Sequence, residues 1–87
     1  MRESTIENYL VERVKAMGGE VRKVKWIGRN HAPDRRVMLP GRCLWVELKA
    51  PGEKCRHGQV REHERMRSQG EHVEVVDSCE RVDEVLA

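Results

Sequence analysis

Asp34, Glu47 and Lys49 are the residues of this chain whose types and spacing suit chemistry. Asp34 follows Pro33, twelve residues separate Asp34 from Glu47, and Lys49 stands two residues further on. Glu47 and Lys49 interrupt "CLWVELKAPG", residues 43–52, an apolar run that otherwise reads as a buried strand. Side chains alternate across a strand, so the two charges share a face, about 7 Å apart. Charges on a half-buried strand are costly unless they are paired or used. A turn that laid the segment after Asp34 alongside would bring the two carboxylates together. They repel one another unless a cation sits between them. Hard oxygens favour Mg²⁺ or Mn²⁺, which keep several waters and accept phosphate oxygens. Such an ion activates water and stabilises charge on a phosphate under attack. Lys49 can orient that water or neutralise the developing charge. The structural alternative is an ion pair, Glu47 with Lys49 or a cross-strand arginine and Asp34 with Arg35 or Arg36.

These residues need elements to hold them. "STIENYLVERVKAM", residues 4–17, reads as an amphipathic helix carrying Ile6, Tyr9, Leu10, Val14 and Met17 on one face. Ser4 with Glu7 fits a capping box, and Gly18-Gly19 supplies the stop. "EVRKVKWIG" predicts a strand with Val24 and Trp26 alternating against Lys23 and Lys25. "RNHAPD" is a loop, in which Pro33 helps hold Asp34 in a fixed direction. "RRVML" is a second strand, closed by the turn "PGR", and Cys43 to Lys49 is a third. "QVREHERMRSQG" is a basic helix, "HVEVVD" a fourth strand, and "SCERVDEVLA" a last helix with a capping box from Asp77 and Glu80. The order is αβββαβα. Glu7 falls inside the apolar arc of the first helix, where an acid suggests use, although Arg13 falls there too. Trp26 and Trp45 read as core or dimer interface, and Met66 as core.

Composition narrows the function classes. At 87 residues, with 38% apolar residues and no Phe, the chain is expected to be one small domain that gains from homodimerisation. Residues 20–67 carry 13 Lys and Arg against 6 acids, a balance of +7, whereas residues 68–87 carry 1 against 6, a balance of −5. A polyanion partner suits the middle segment, although an ordinary solvated surface would look alike. The three cysteines form no CxxC pair and no disulfide framework, and no stretch is apolar enough for a membrane span or signal peptide. The expected location is the cytoplasm of a bacterial cell, with a phage origin open. Cys55, His57 and His63 lack the spacing of an established zinc site.

Pro33-Asp34, twelve residues, then Glu47-x-Lys49 is the PD-(D/E)xK nuclease pattern. With "STIENYLVERVKAMGG", "APDRRVML", "LWVELKAPGEK" and Gln59 before "GEHVEVVDS", nearly the whole chain resembles a stand-alone VRR-NUC (virus-type replication-repair nuclease) domain of phage or bacterial type. The resemblance implies a small α/β, restriction-endonuclease-like core, with a mixed central sheet flanked by helices. It implies a metal site built by Glu7, Asp34, Glu47 and the backbone carbonyl of Leu48, with Lys49 and Gln59 as catalytic partners. The implied activity is Mg²⁺- or Mn²⁺-dependent cutting of DNA phosphodiesters. Stand-alone members are similar to dimeric Holliday-junction resolvases, and members fused to larger proteins act on flapped or branched DNA with help from further domains. Lys54, Arg56, Arg61 and Arg65 are the candidate contacts to the DNA backbone. The alternatives are a non-catalytic DNA-binding module built on the same fold and, less well suited to so short a chain, a sequence-specific restriction enzyme.

Overall fold

Stripes of apolar residues set the layers of the computed structural model, which describes residues 1–87. Helix α1 (Glu3–Ala16) buries Ile6, Leu10 and Val14. Spaced by four, they line one side of the helix. The helix begins earlier than the sequence suggests. The Arg2 carbonyl accepts the amides of Thr5 (3.1 Å) and Ile6 (3.4 Å), which leaves Ser4 inside the first turn and not at the cap. The expected Ser4–Glu7 capping box is therefore not formed, and the Glu7 carboxylate is free to bond elsewhere. After the helix, Gly19 passes so close to the sheet that a Cβ there would lie 2.3 Å from the Met38 carbonyl oxygen.

Strand β1 (Glu20–Lys23) is shorter than its alternating pattern predicts. Its last link is the Val24 amide to the Asp34 carbonyl, at 2.9 Å. Beyond it the chain leaves the strand, and side chains of residues 26–31 find partners on the face of the sheet and on α2. Trp26 meets Trp45 edge-on at 6.2 Å between ring centroids, and Arg29 reaches Glu62. Strands β2 (Arg35–Leu39) and β3 (Arg42–Leu48) form a hairpin around Pro40-Gly41. Gly41 takes φ of 83° there, which suits a glycine following proline in a tight turn.

Helix α2 (His57–Ser68) crosses over to β4 (Val73–Val76), which pairs parallel with β3. Helix α3 (Cys79–Leu86) closes the chain. The sheet order is β1-β2-β3-β4, antiparallel except for the last pair. Ser78, not Asp77, caps α3: its hydroxyl accepts the Arg81 amide at 3.0 Å. One residue of register separates the two candidates, and Ser78 is the one whose oxygen reaches the third amide of the helix.

Leu44, Val46 and Leu48 of β3 join Val37, Leu39, Val76 and the apolar residues of α1 and α3 in a core of twelve buried side chains. Burying each contributes about 1.5–3 kcal/mol before entropy is charged against it. Helix α2 covers the opposite face near Glu47, with His63 and Met66 buried under it. The result is the expected α/β arrangement, a mixed sheet flanked by helices. Trp26 and Trp45 stay half-buried at the edge of the α2 side, with the Arg36 guanidinium 4.6 Å above Trp45.

Candidate active site

The β2–β3 hairpin assembles the site. Its register pairs Arg35 with Val46, so Asp34 and Glu47 stand opposite one another one step further along. Asp34 Oδ2 accepts the Leu48 amide at 2.8 Å. That bond fastens the carboxylate to the strand between Glu47 and Lys49. Pro33, fully buried, anchors the approach. The Lys49 amide donates to the Val76 carbonyl at 2.9 Å, so β4 holds the strand from the other side.

Alternation turns Glu47 away from the apolar core and under α2, where it is 3% exposed. Glu47 Oε2 accepts from Gln59 Nε2 at 3.4 Å, and Oε1 lies 3.5 Å from His63 Nε2. Neither Oε1 nor that histidine nitrogen has a hydrogen-bond partner, although both are buried. Burial pushes the Glu47 carboxyl above the ordinary range, Asp34 adds to the shift, and His63 and Lys49 oppose it. Lys49 is 8% exposed, and its ammonium donates to Gln59 Oε1 at 3.0 Å. Gln59 Oε1 also accepts the Arg56 amide at 2.9 Å, at the start of α2. One amide side chain thus ties the strand lysine, the strand glutamate and the helix N-terminus together.

A buried, unpartnered carboxylate oxygen beside a second carboxylate is a donor set that fits a hard divalent cation. Mg²⁺ commonly takes only one or two carboxylates and completes its shell with water and phosphate. No group of three or more His, Cys, Asp or Glu side chains is gathered as a metal cage.

No protein-family model matches the chain. It is 47% identical over 79 residues to "Putative nuclease p44" of Acyrthosiphon pisum secondary endosymbiont phage 1, covering 90% of this chain and 85% of that protein. It superimposes on a solved structure described as a VRR_NUC domain with a TM-score of 0.89 and 43% identity, covering 97% of this chain and 92% of the other. The chain belongs to the VRR-NUC family.

Within this VRR-NUC fold, Asp34, Glu47, Lys49 and Gln59 come together as their motif implies. Glu7 does not touch them. Its carboxylate pairs with Arg35, whose Nη1 donates to the Asp34 carbonyl at 2.9 Å. Glu7 therefore reaches the site through Arg35. Lys54 and Arg56 are exposed in the loop and at the α2 cap, while Arg61 and Arg65 are exposed along α2. Sequence alone offers His63 only as a zinc ligand without established spacing, whereas the fold sets it against Glu47. Its signal was present: Gln59, His63 and Met66 fall at i, i+4 and i+7, one helical face. Arg29 and Glu62 were missed as well, and Arg35, expected to pair with Asp34, instead takes Glu7; these partners lie 28 to 33 residues away in the chain. Membership in this family makes the chain a nuclease.

Proposed function

We propose that this nuclease is a Mg²⁺- or Mn²⁺-dependent deoxyribonuclease that hydrolyses phosphodiester bonds in branched DNA, such as junctions or flaps. The observation that carries the reading is the locked pair Asp34–Glu47 at the end of one hairpin, with Lys49 and Gln59 against it. Asp34, Glu47 and the Leu48 carbonyl would hold the cation, with Glu7 acting on the site through Arg35. The ion, when bound, lowers the pKa of water and neutralises charge on the phosphate. The chain supplies the rest. Lys49, desolvated and fixed by Gln59, holds the attacking water or the developing negative charge at its Nζ. Gln59 keeps Lys49 and Glu47 at one separation. Attack forms one P–O bond, breaks another, and leaves no covalent intermediate on the protein. Lys54, Arg56, Arg61 and Arg65 take backbone phosphates and carry no base information.

The 87 residues are proposed to work as one nuclease domain, paired as a homodimer, in the cytoplasm of a bacterial host. No helix is long and apolar enough to cross a membrane. The test is a cleavage panel of junction, flap, nicked, linear and supercoiled DNA in Mg²⁺ and Mn²⁺, run beside Asp34→Asn. Cutting of branched DNA by the wild type, lost in the variant, supports the reading. Tight binding of branched DNA with no cutting in either metal favours a non-catalytic module.

A further inference from the structure

Beside the metal-site cluster, on the adjoining face of α2, lies a cavity of about 360 Å³ lined entirely by polar residues and one glycine: Arg29, Asn30, His31, Gly58, Arg61, Glu62 and Arg65. Gly58, Glu62 and Arg65 repeat at i, i+4 and i+7, whereas Gln59, His63 and Met66 form the neighbouring stripe that faces Glu47 and the sheet. Each stripe thus serves a different site.

The cavity is built, in the sense that two contacts fix its wall. Glu62, only 5% exposed, sits at its floor and accepts Arg29 Nη2 at 2.6 Å and Arg65 Nη1 at 3.3 Å. Arg29 comes from a loop 33 residues earlier in the chain. His31 holds φ of 71° and packs on Gly58, where a Cβ would meet the imidazole Nε2 at 2.3 Å. Glycine at position 58 leaves room for the His31 ring in this position. Three guanidinium groups against one carboxylate leave the lining at +2 with His31 neutral, and Glu62 pairs with Arg29 and Arg65 but not with Arg61. Arg29 and Arg65 remain more than half exposed at 56% and 59%, so they are free to take further acceptors. Planar guanidinium forks match phosphate oxygens in pairs.

We propose that this cavity is a second phosphate-binding subsite, in which Arg29, Arg61 and Arg65 take a backbone phosphate of the DNA strand next to the one being cut. Glu62 is the positioning residue that aims Arg29 and Arg65 outward. The proposal rests on the nuclease reading for the identity of its ligand, but the site itself is defined by its own residues. Only Ala32 and Pro33 separate His31 from Asp34, so the two sites lie within about 10 Å along the chain. The loop that ends in the metal-binding aspartate is thereby the loop that grips the neighbouring phosphate.

Two measurements test this. The first titrates the wild-type protein with inorganic phosphate while the arginine Nε–H resonances are followed by NMR. The signals of Arg29, Arg61 and Arg65 are expected to shift together, those of Arg13 and Arg81 to stay in place, and Arg29→Gln to abolish the response. If the three do not move, the subsite is absent even if the protein cuts DNA. If they move and no DNA is cut, the subsite stands and the nuclease chemistry is what fails. The second measures DNA affinity in a chelator across salt concentrations. Arg29→Gln and Arg61→Gln are each expected to weaken binding about fivefold to tenfold and to reduce the salt slope by about one. Arg61→Gln guards against misfolding, since that side chain supports no other. Affinity and slope equal to wild type in both variants overturn the proposal.

Discussion

The two faces of the sheet do opposite things. On the side of α1 and α3, twelve apolar side chains fill the core and no ionisable group is buried among them. The α2 side holds every buried charged or polar side chain of the chain, Glu47, Lys49, Glu62 and His63. The alternation within β3 draws this line one residue at a time, with Leu44, Val46 and Leu48 inward and Glu47 outward. The comparison teaches a division of labour. Apolar burial on one face stabilises the hairpin, and the hairpin then holds costly polar geometry on the other.

If that division is right, substitutions on the two faces separate activity from stability. The largest effect is expected from Lys49→Ala or Asp34→Asn, which should lower plasmid nicking in Mn²⁺ by about 10³-fold. The melting temperature should move far less than for a core variant. A parallel collapse of both quantities would erase the distinction. On the other face, Leu44→Ala should cost about 2–5 kcal/mol by chemical denaturation, while the fraction that stays folded keeps its kcat. Next comes His63→Phe, which fills the same space but removes the nitrogen facing Glu47. It should weaken cleavage about 10- to 100-fold, with a higher Mg²⁺ concentration needed for half-maximal rate. An unchanged metal midpoint would make His63 a packing residue only.

Glu47→Gln sharpens the contrast further. A carboxyl whose pKa is raised on folding subtracts stability above its unfolded pKa and stops doing so below it. In a chelator at neutral pH, Glu47→Gln should therefore raise Tm, by about 4–8 °C for a gain on the order of 1 kcal/mol, while abolishing cleavage. Thermal scans with EDTA decide it, and a lower Tm would show that His63 and Lys49 compensate the charge fully. The smallest effect belongs to Glu62, whose carboxyl the Arg29 guanidinium holds below the ordinary range. A depressed carboxylate contributes above its unfolded pKa of about 4.3 and loses that contribution as pH falls through its folded value. Acid titration should cost the wild type about 1–3 °C more than Glu62→Gln below that point. Identical acid profiles would show that the pair is fully solvated.

Legibility followed distance along the chain. The hairpin was readable because Pro40-Gly41 sets its turn, and a fixed turn sets which residues face across it. Asp34 opposite Glu47 follows from that register alone. The αβββαβα order was readable from periodicity and glycine stops. The helix caps were not, because a one-residue shift exchanges Asp77 for Ser78 with almost no change in local preference. Nor was the end of β1 readable, since Trp26 and Arg29 lie beyond the strand and meet partners that only packing brings near.

The sequence by itself determined the motif, the charge asymmetry and the strand whose two faces differ. The motif and the strand rest on spacings of two to fifteen residues, within which backbone geometry dictates who faces whom. Tertiary structure alone decided that Arg35 takes Glu7 and that Arg29 crosses to Glu62 on α2. The physical reason is that each of these contacts joins elements whose approach is set by burial of the apolar faces. The polar partners are placed by that packing and leave no periodic trace of their own.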